Sequence, residues 1–396
     1  MPGVDGLRAL AVTMVLVFHI YGFGAGSPQI TFMGWIDLAP WLSTGYLGVD
    51  LFFALSGFLL MLPWTKSHYQ GLPQPQIRTY FWRRFYRIAP AYYVQIACLF
   101  FVFVPIALAD WSNLSKLGLF TIFTHVTFTH YLFPVTSSGL GINGALWTLT
   151  IEACFYLALP FMARYFVGPK AWRSLLFALI LAETWKYLSF HQMYDFLVWL
   201  TITVAPKMAA YRYEPIVLKM FLANQFPSQI FNFAIGMYCA SLYYSMTPGV
   251  RRLFEGGLGG VATLLLLGLL AFLAWQVGRL DVWGGSWLYV WFIGVAAISA
   301  GLVLLASFKN TVSDKVLGAA PVRLLGIVSY SVYLWHFPVI YFAKNYWMPA
   351  EVTGLNKFYW MLAVCVPITL IISYISYRYV ELPFLTLAKN ISRGKK

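Results

Sequence analysis

An arginine and a histidine, Arg8 and His19, interrupt one otherwise apolar stretch, Asp5 to Tyr21, DGLRALAVTMVLVFHIY. At helical rise the eleven residues between them span roughly 16 Å, so a cation near one membrane face and an imidazole past the midplane share one rod. An ionisable side chain inside a spanning helix is costly in lipid and is expected to face a bundle interior or a solvated cavity and to act there. The competing role is a hydrogen bond that glues two helices together. A neutral imidazole can take a proton from a hydroxyl, and a carboxylate beside it can orient the ring and stabilise its charged form. Candidate partners are Asp50 in GYLGVDLFFALSGFLL, Glu152 in GALWTLTIEACFYLALP and His336 in SYSVYLWHFPV. A different chemistry belongs to FWRRFYRIAP, which holds Arg83, Arg84 and Arg87. Arg84 and Arg87 share a face if the segment is helical, and paired guanidinia recognise phosphate. A basic cluster at a cytoplasmic helix start is also what membrane topology alone requires. Arg378 and Glu381 in YRYVELPF either partner this cluster or pin the last helix, and we read Glu381 as structural.

The elements that must position these groups are membrane helices. Of 396 residues 60% are hydrophobic and 10% charged, and the mean hydropathy is +0.71, which excludes a soluble globular domain. The expected fold is all-α, a polytopic transmembrane bundle. Apolar runs long enough to cross a bilayer fall at about 7–24, 45–63, 91–109, 145–167, 172–190, 228–245, 257–277, 286–306, 323–344 and 358–380. Segments 116–134 and 195–205 are more polar or too short, and are expected to be interfacial or re-entrant, either being a candidate eleventh span. The stretch 191–227, punctuated by Pro206, Pro215 and Pro227, is expected outside.

With ten spans, 19 of the 27 Lys and Arg residues fall on one side, which predicts that both termini are cytoplasmic. A basic rim facing anionic lipid accounts for the net charge of +14 without nucleic acid. The first span carries a histidine within its core, so it is expected to be retained and not cleaved as a signal peptide. We expect one transmembrane domain over 1–385, a basic cytoplasmic tail over 386–396, no fused extracytoplasmic domain, and an integral protein of a bacterial cytoplasmic membrane. Cys98, Cys154, Cys239 and Cys365 all lie in apolar runs and read as small core residues. His68, His125, His130 and His191 read as loop or interfacial residues, and no bound metal is expected.

This topology sets depth. His19 lies about five residues from the outer end of its helix, and Asp50 about five into the next, which puts both within roughly 8 Å of one boundary. Glu152, about seven residues down its helix, and His336, about eight from its outer end, are expected at a similar level. Four ionisable groups should therefore converge in the outer half of the membrane.

Together these motifs resemble acyltransferase family 3, integral membrane proteins that move acyl groups from cytoplasmic acyl-CoA to exported sugars and glycans. The resemblance rests on DGLRALAV with Arg8 and His19, GVDLFFALSGF (Gly48 to Phe58), RRFYRIAP with Arg84 and Arg87, LWTLTIEACFY (Leu146 to Tyr156), SYSVYLWHFP (Ser329 to Pro338) and VELPF (Val380 to Phe384). It implies that Arg8 and His19 are an essential pair and that Arg84 and Arg87 contact the acyl-CoA donor. No cofactor is then bound tightly, acyl-CoA, by expectation acetyl-CoA, being a substrate. On this reading His19 is the general base, oriented by Asp50, with Tyr330, Asn143 and Ser56 as candidate polar groups near the reacting atoms. His336 either shares in the chemistry or satisfies a backbone carbonyl freed by Pro338. An acyl-histidine intermediate is the alternative to direct transfer, and a transporter or lipid flippase is the rival from another class. The acceptor is expected to be a carbohydrate or glycolipid hydroxyl. Trp35, Trp41, Tyr211 and Tyr213 are expected either to stack on sugar rings or to form an interfacial belt.

Overall fold

Long apolar runs separated by Pro, Gly and charged residues leave the backbone one way to satisfy itself in lipid, the helix. The computed structural model describes residues 1–103, 116–137, 143–196, 199, 215–280, 291–310 and 312–393. Helix α1 (Pro2–His19) runs into a π-helical turn, Ile20–Gly24. A small antiparallel hairpin pairing Thr31–Phe32 with Ile36–Asp37 follows. Then come α2 (Gly48–Gln70), α3 (Ile77–Cys98), α4 (Lys116–Val126) and α5 (Trp147–Met162). Next are α6 (Ala171–Leu188), α7 (Phe226–Ser245), α8 (Gly257–Gly278) and α9 (Trp291–Ala306). The chain closes with α10 (Ala320–Phe342) and α11 (Leu355–Ser376), which continues through a π-helical turn, Tyr377–Glu381, into α12 (Leu382–Arg393).

Each of the ten expected runs falls at least in part on a helix, and among the described residues 7 helical stretches are long and apolar enough to cross a membrane by length and composition. The polar side chains of α6 and α7 keep those two out of this group, and α9 is apolar but shorter. Helix α4, at 11 residues, reaches about half the thickness of a hydrocarbon core. Helix α3 begins well before the expected start at 91, so Arg83, Arg84 and Arg87 lie within a helix. The ends of the expected runs at 104–109 and 286–290, most of 195–205, and Pro206, Tyr211 and Tyr213 lie outside the described residues.

Two close helix contacts place the functional groups. Helix α7 packs along α2, and the approach depends on two glycines. A Cβ on Gly57 would strike the Phe233 carbonyl, and one on Gly236 the Ala54 carbonyl, the small-residue packing by which membrane helices bring their backbones together. Helix α1 lies against α10 and α2, with Gly326 held against the carbonyl of Asp5. Prolines inside helices free carbonyls that the bundle then satisfies. Tyr80 donates to the Tyr156 carbonyl at 3.1 Å, four residues before Pro160. Asn143 and Gln95 both donate to the Leu334 carbonyl, four residues before Pro338. The carbonyl released by Pro338 is thus taken by α3 and the start of α5, which leaves His336 for other work.

Candidate active site

His19 closes the α-helical part of α1, and the π-helical turn after it bends the chain away. Its Nδ1 lies 2.9 Å from the Val15 carbonyl and 3.1 Å from Nε2 of His336. His336 is completely buried, and its Nδ1 faces the carbonyls of Tyr333 at 2.7 Å and Val332 at 3.2 Å. These contacts settle the tautomers. Carbonyls only accept, so Nδ1 of His336 carries its proton, and the Nε2 of a neutral His336 is then an acceptor. His19 Nδ1 therefore donates, shared between Val15 and His336, and its Nε2 keeps a free lone pair. Phe18 and Phe337 stand edge-on to the His19 ring, with centroids 4.9 and 5.2 Å away.

His19 lines a cavity of about 1320 Å³, counting the space open to solvent, together with Asp50, Lys186, Asn224, Gln229 and Asn232. Asn232 donates from its amide to Asp50 Oδ1 at 2.6 Å and to Gln229 Oε1 at 2.8 Å, and Gln229 in turn donates to Asn224 at 3.0 Å. The expectation that Asp50 orients His19 is thus corrected. Both line the cavity, but the carboxylate is tied to α7, and the group in hydrogen-bond contact with the His19 ring is His336. Lys186, paired with Glu183 at 2.8 Å, faces the same space.

The second cavity, about 820 Å³ by the same measure, lies toward the other end of α1 and is lined by Arg8, Arg84, Arg87, Glu152, Tyr156 and Tyr330 among others. Glu152 belongs here, which corrects its expected place beside His19. Its carboxylate accepts from Ser56 at 3.1 Å and from Tyr156 at 2.6 Å. Ser56 is six residues below Asp50 on α2, about 9 Å deeper, so Glu152 sits with the arginines. Glu381, 1% exposed, pairs with Arg87 at 3.2 Å and also accepts from Ser331. It therefore pins the last helix and partners the cluster at once. Arg8 forms no hydrogen bond or ion pair among the described residues, and the buried Nε of Arg84 has no partner. The cavity thus holds two guanidinia with capacity to spare.

Val49 and Tyr333 line both cavities. Tyr333 is fixed where they meet, donating to the Ala145 carbonyl at 2.7 Å and accepting from Thr148 at 2.8 Å. The remaining sequence candidates have structural partners: Tyr330 donates to the Ile88 carbonyl at 2.8 Å, and Asn143 caps the turn that opens α5 as well as bonding Leu334. His125 lies on α4 and His130 on the short helical turn after it. Both are fully buried and stacked, with centroids 4.2 Å apart, and His130 Nε2 faces the Leu146 carbonyl at 3.0 Å. Among the described residues no three His, Cys, Asp or Glu side chains gather as metal ligands do. Sequence reasoning missed Lys186, Asn232 and Tyr333. The signal was present for the first two, a lysine and an amide inside apolar runs, while Tyr333 is one aromatic among many.

Comparison with known proteins bears on this arrangement. An acyltransferase-domain family model matches residues 1–378. The peptidoglycan O-acetyltransferase OatA of Listeria monocytogenes is 27% identical over 400 residues, covering 96% of this chain and 55% of the relative. The O-acetyltransferase OatA of Staphylococcus aureus is 24% identical over 395 residues, covering 97% of this chain and 57% of the relative. The chain thus spans a little over half the length of these relatives. No solved structure matches. With the family model running through both cavities and from α1 into the π-helical turn after α11, the chain belongs to acyltransferase family 3.

Proposed function

We propose that the chain is a membrane O-acyltransferase that receives an acyl group, by expectation acetyl, from acyl-CoA at the arginine end and passes it to a glycan hydroxyl at the histidine end. The observation that carries this reading is the pair of cavities meeting at Val49 and Tyr333, one supplied with unpaired guanidinia and the other with a free imidazole nitrogen. Phosphates of the donor would be held by Arg84 and Arg8, and the extended thiol arm would lead the thioester along α1 toward His19. As the acceptor oxygen attacks the thioester carbonyl, its proton moves to His19 Nε2. The tetrahedral species collapses with loss of the C–S bond, and the departing thiolate takes that proton, giving ester and free CoA. His336 keeps the reactive nitrogen of His19 facing the cavity and accepts from the Nδ1–H of the imidazolium, the part an aspartate takes in a serine protease triad. The names of the relatives support a cell-wall glycan as acceptor.

The direct test supplies membranes containing the chain with radiolabelled acetyl-CoA and a glycan acceptor. Label in the glycan with release of CoA is the expected result, and neither event is the result of a transporter. Orientation has its own check. An impermeant thiol reagent should label a cysteine placed at Thr31 from outside, and one at Gln74 only after permeabilisation, and the reverse pattern would refute a cytoplasmic arginine end.

A further inference from the structure

A groove on the arginine end, between the last turns of α2 and the first of α3, shares Leu59, Leu60 and Arg84 with the wall of the arginine cavity. Its lining includes Pro63, Trp64, Pro75, Tyr80 and the exposed Arg83. Trp64 and Tyr80 meet edge to face at 6.4 Å, and with the two prolines they give this slot an apolar wall on which a planar ring can stack. Trp64 is 8% exposed, yet its Nε1 is buried and has no partner. An indole N–H can only donate, so a planar ligand that reaches it must carry an acceptor. The loop joining the helices is held in place: Gly71 takes φ +64°, Leu72 N donates to the Ser67 carbonyl at 2.9 Å, and Ser67 Oγ donates to the Pro73 carbonyl at 2.8 Å. No acidic residue lines the groove, and the first turn of α3 has no side-chain cap on its amides, which adds to the attraction for anions.

We propose that this groove receives the nucleotide end of acyl-CoA, with adenine in the slot against Trp64, the pyrophosphate at Arg84 and the 3′-phosphate at Arg83. The assignment rests on the acyl-CoA reading above and adds to it a residue, Arg83, that reads one phosphate of the donor. Arg84 then stands where the nucleotide hands over to the thiol arm, which accounts for its unpaired buried Nε.

The test compares acetyl-CoA with 3′-dephospho-acetyl-CoA as donors for the full chain in membranes. Wild type should show a KM about tenfold higher for the dephospho donor, as expected for one lost charge-assisted contact. Arg83→Gln should bring that ratio close to one by raising the KM for acetyl-CoA. Trp64→Phe, which keeps a ring but removes the N–H, should raise KM for both donors alike and preserve the ratio. Equal KM values in wild type, or an unchanged ratio in Arg83→Gln, would overturn the phosphate assignment while leaving acyl-CoA as donor. An unchanged KM in Trp64→Phe would remove adenine from the slot. Failure of wild type to use either donor would instead refute the acyl-CoA reading and this subsite with it.

Discussion

The two cavities solve opposite electrostatic problems within one bundle. At the histidine end the cavity-facing imidazole and carboxylate are tethered by hydrogen bonds: His19 to His336, Asp50 to Asn232. At the arginine end cations outnumber their partners, since Arg87 is neutralised by Glu381 while Arg8 and Arg84 are left available. On the proposed reading, the first arrangement fixes atoms for a proton transfer and the second holds unspent charge for an anion. Their separation is set by α1, which lines both through Arg8 and His19, and their walls share Val49 and Tyr333.

The contrast breaks most visibly at His19. His19→Gln can still hydrogen-bond but cannot take up a proton, and acyl transfer should fall by about two to four orders of magnitude at normal abundance. Activity near wild type in that variant would move the base elsewhere. At the other end the two arginines should separate in kind. Arg87→Ala leaves Glu381 buried and unpaired, so its main effect should be on stability, on the order of 3–5 kcal/mol, read as loss of folded protein after detergent extraction.

Arg84→Ala removes a guanidinium that pairs with no protein group, and should instead raise the KM for acyl-CoA about ten- to a hundredfold with abundance and acceptor KM nearly unchanged. If Arg84→Ala lowers abundance and Arg87→Ala alters only donor kinetics, the division of labour is reversed. The smallest effect is expected at His336. His336→Ala should cost about tenfold in turnover, and His336→Gln, whose amide oxygen can accept from His19, should recover most of it. In a His19→Gln background either change should add little, because residues acting as a unit are not additive. Full additivity would assign His336 a separate role.

The sequence by itself determined the helical class and the family, and it offered the candidate site residues. Helix formation in lipid is local: each apolar run satisfies its own backbone, and motifs such as DGLRALAV and SYSVYLWHFP are continuous in the chain. Arg8, His19, Arg84 and Arg87 were therefore legible as candidates for chemistry. Which groups touch was decided only in three dimensions. His19 meets His336 across 317 positions of sequence, Asp50 meets Asn232 across 182, and Arg87 meets Glu381 across 294. Counting residues from a span's end places a side chain in depth only if all helices begin at one plane, and α5 does not obey that, so Glu152 descends to the level of Ser56. The role of His336 was undecidable for the same reason. Whether it answered Pro338 or His19 depended on Asn143 and Gln95, side chains from other helices that reach the Leu334 carbonyl first.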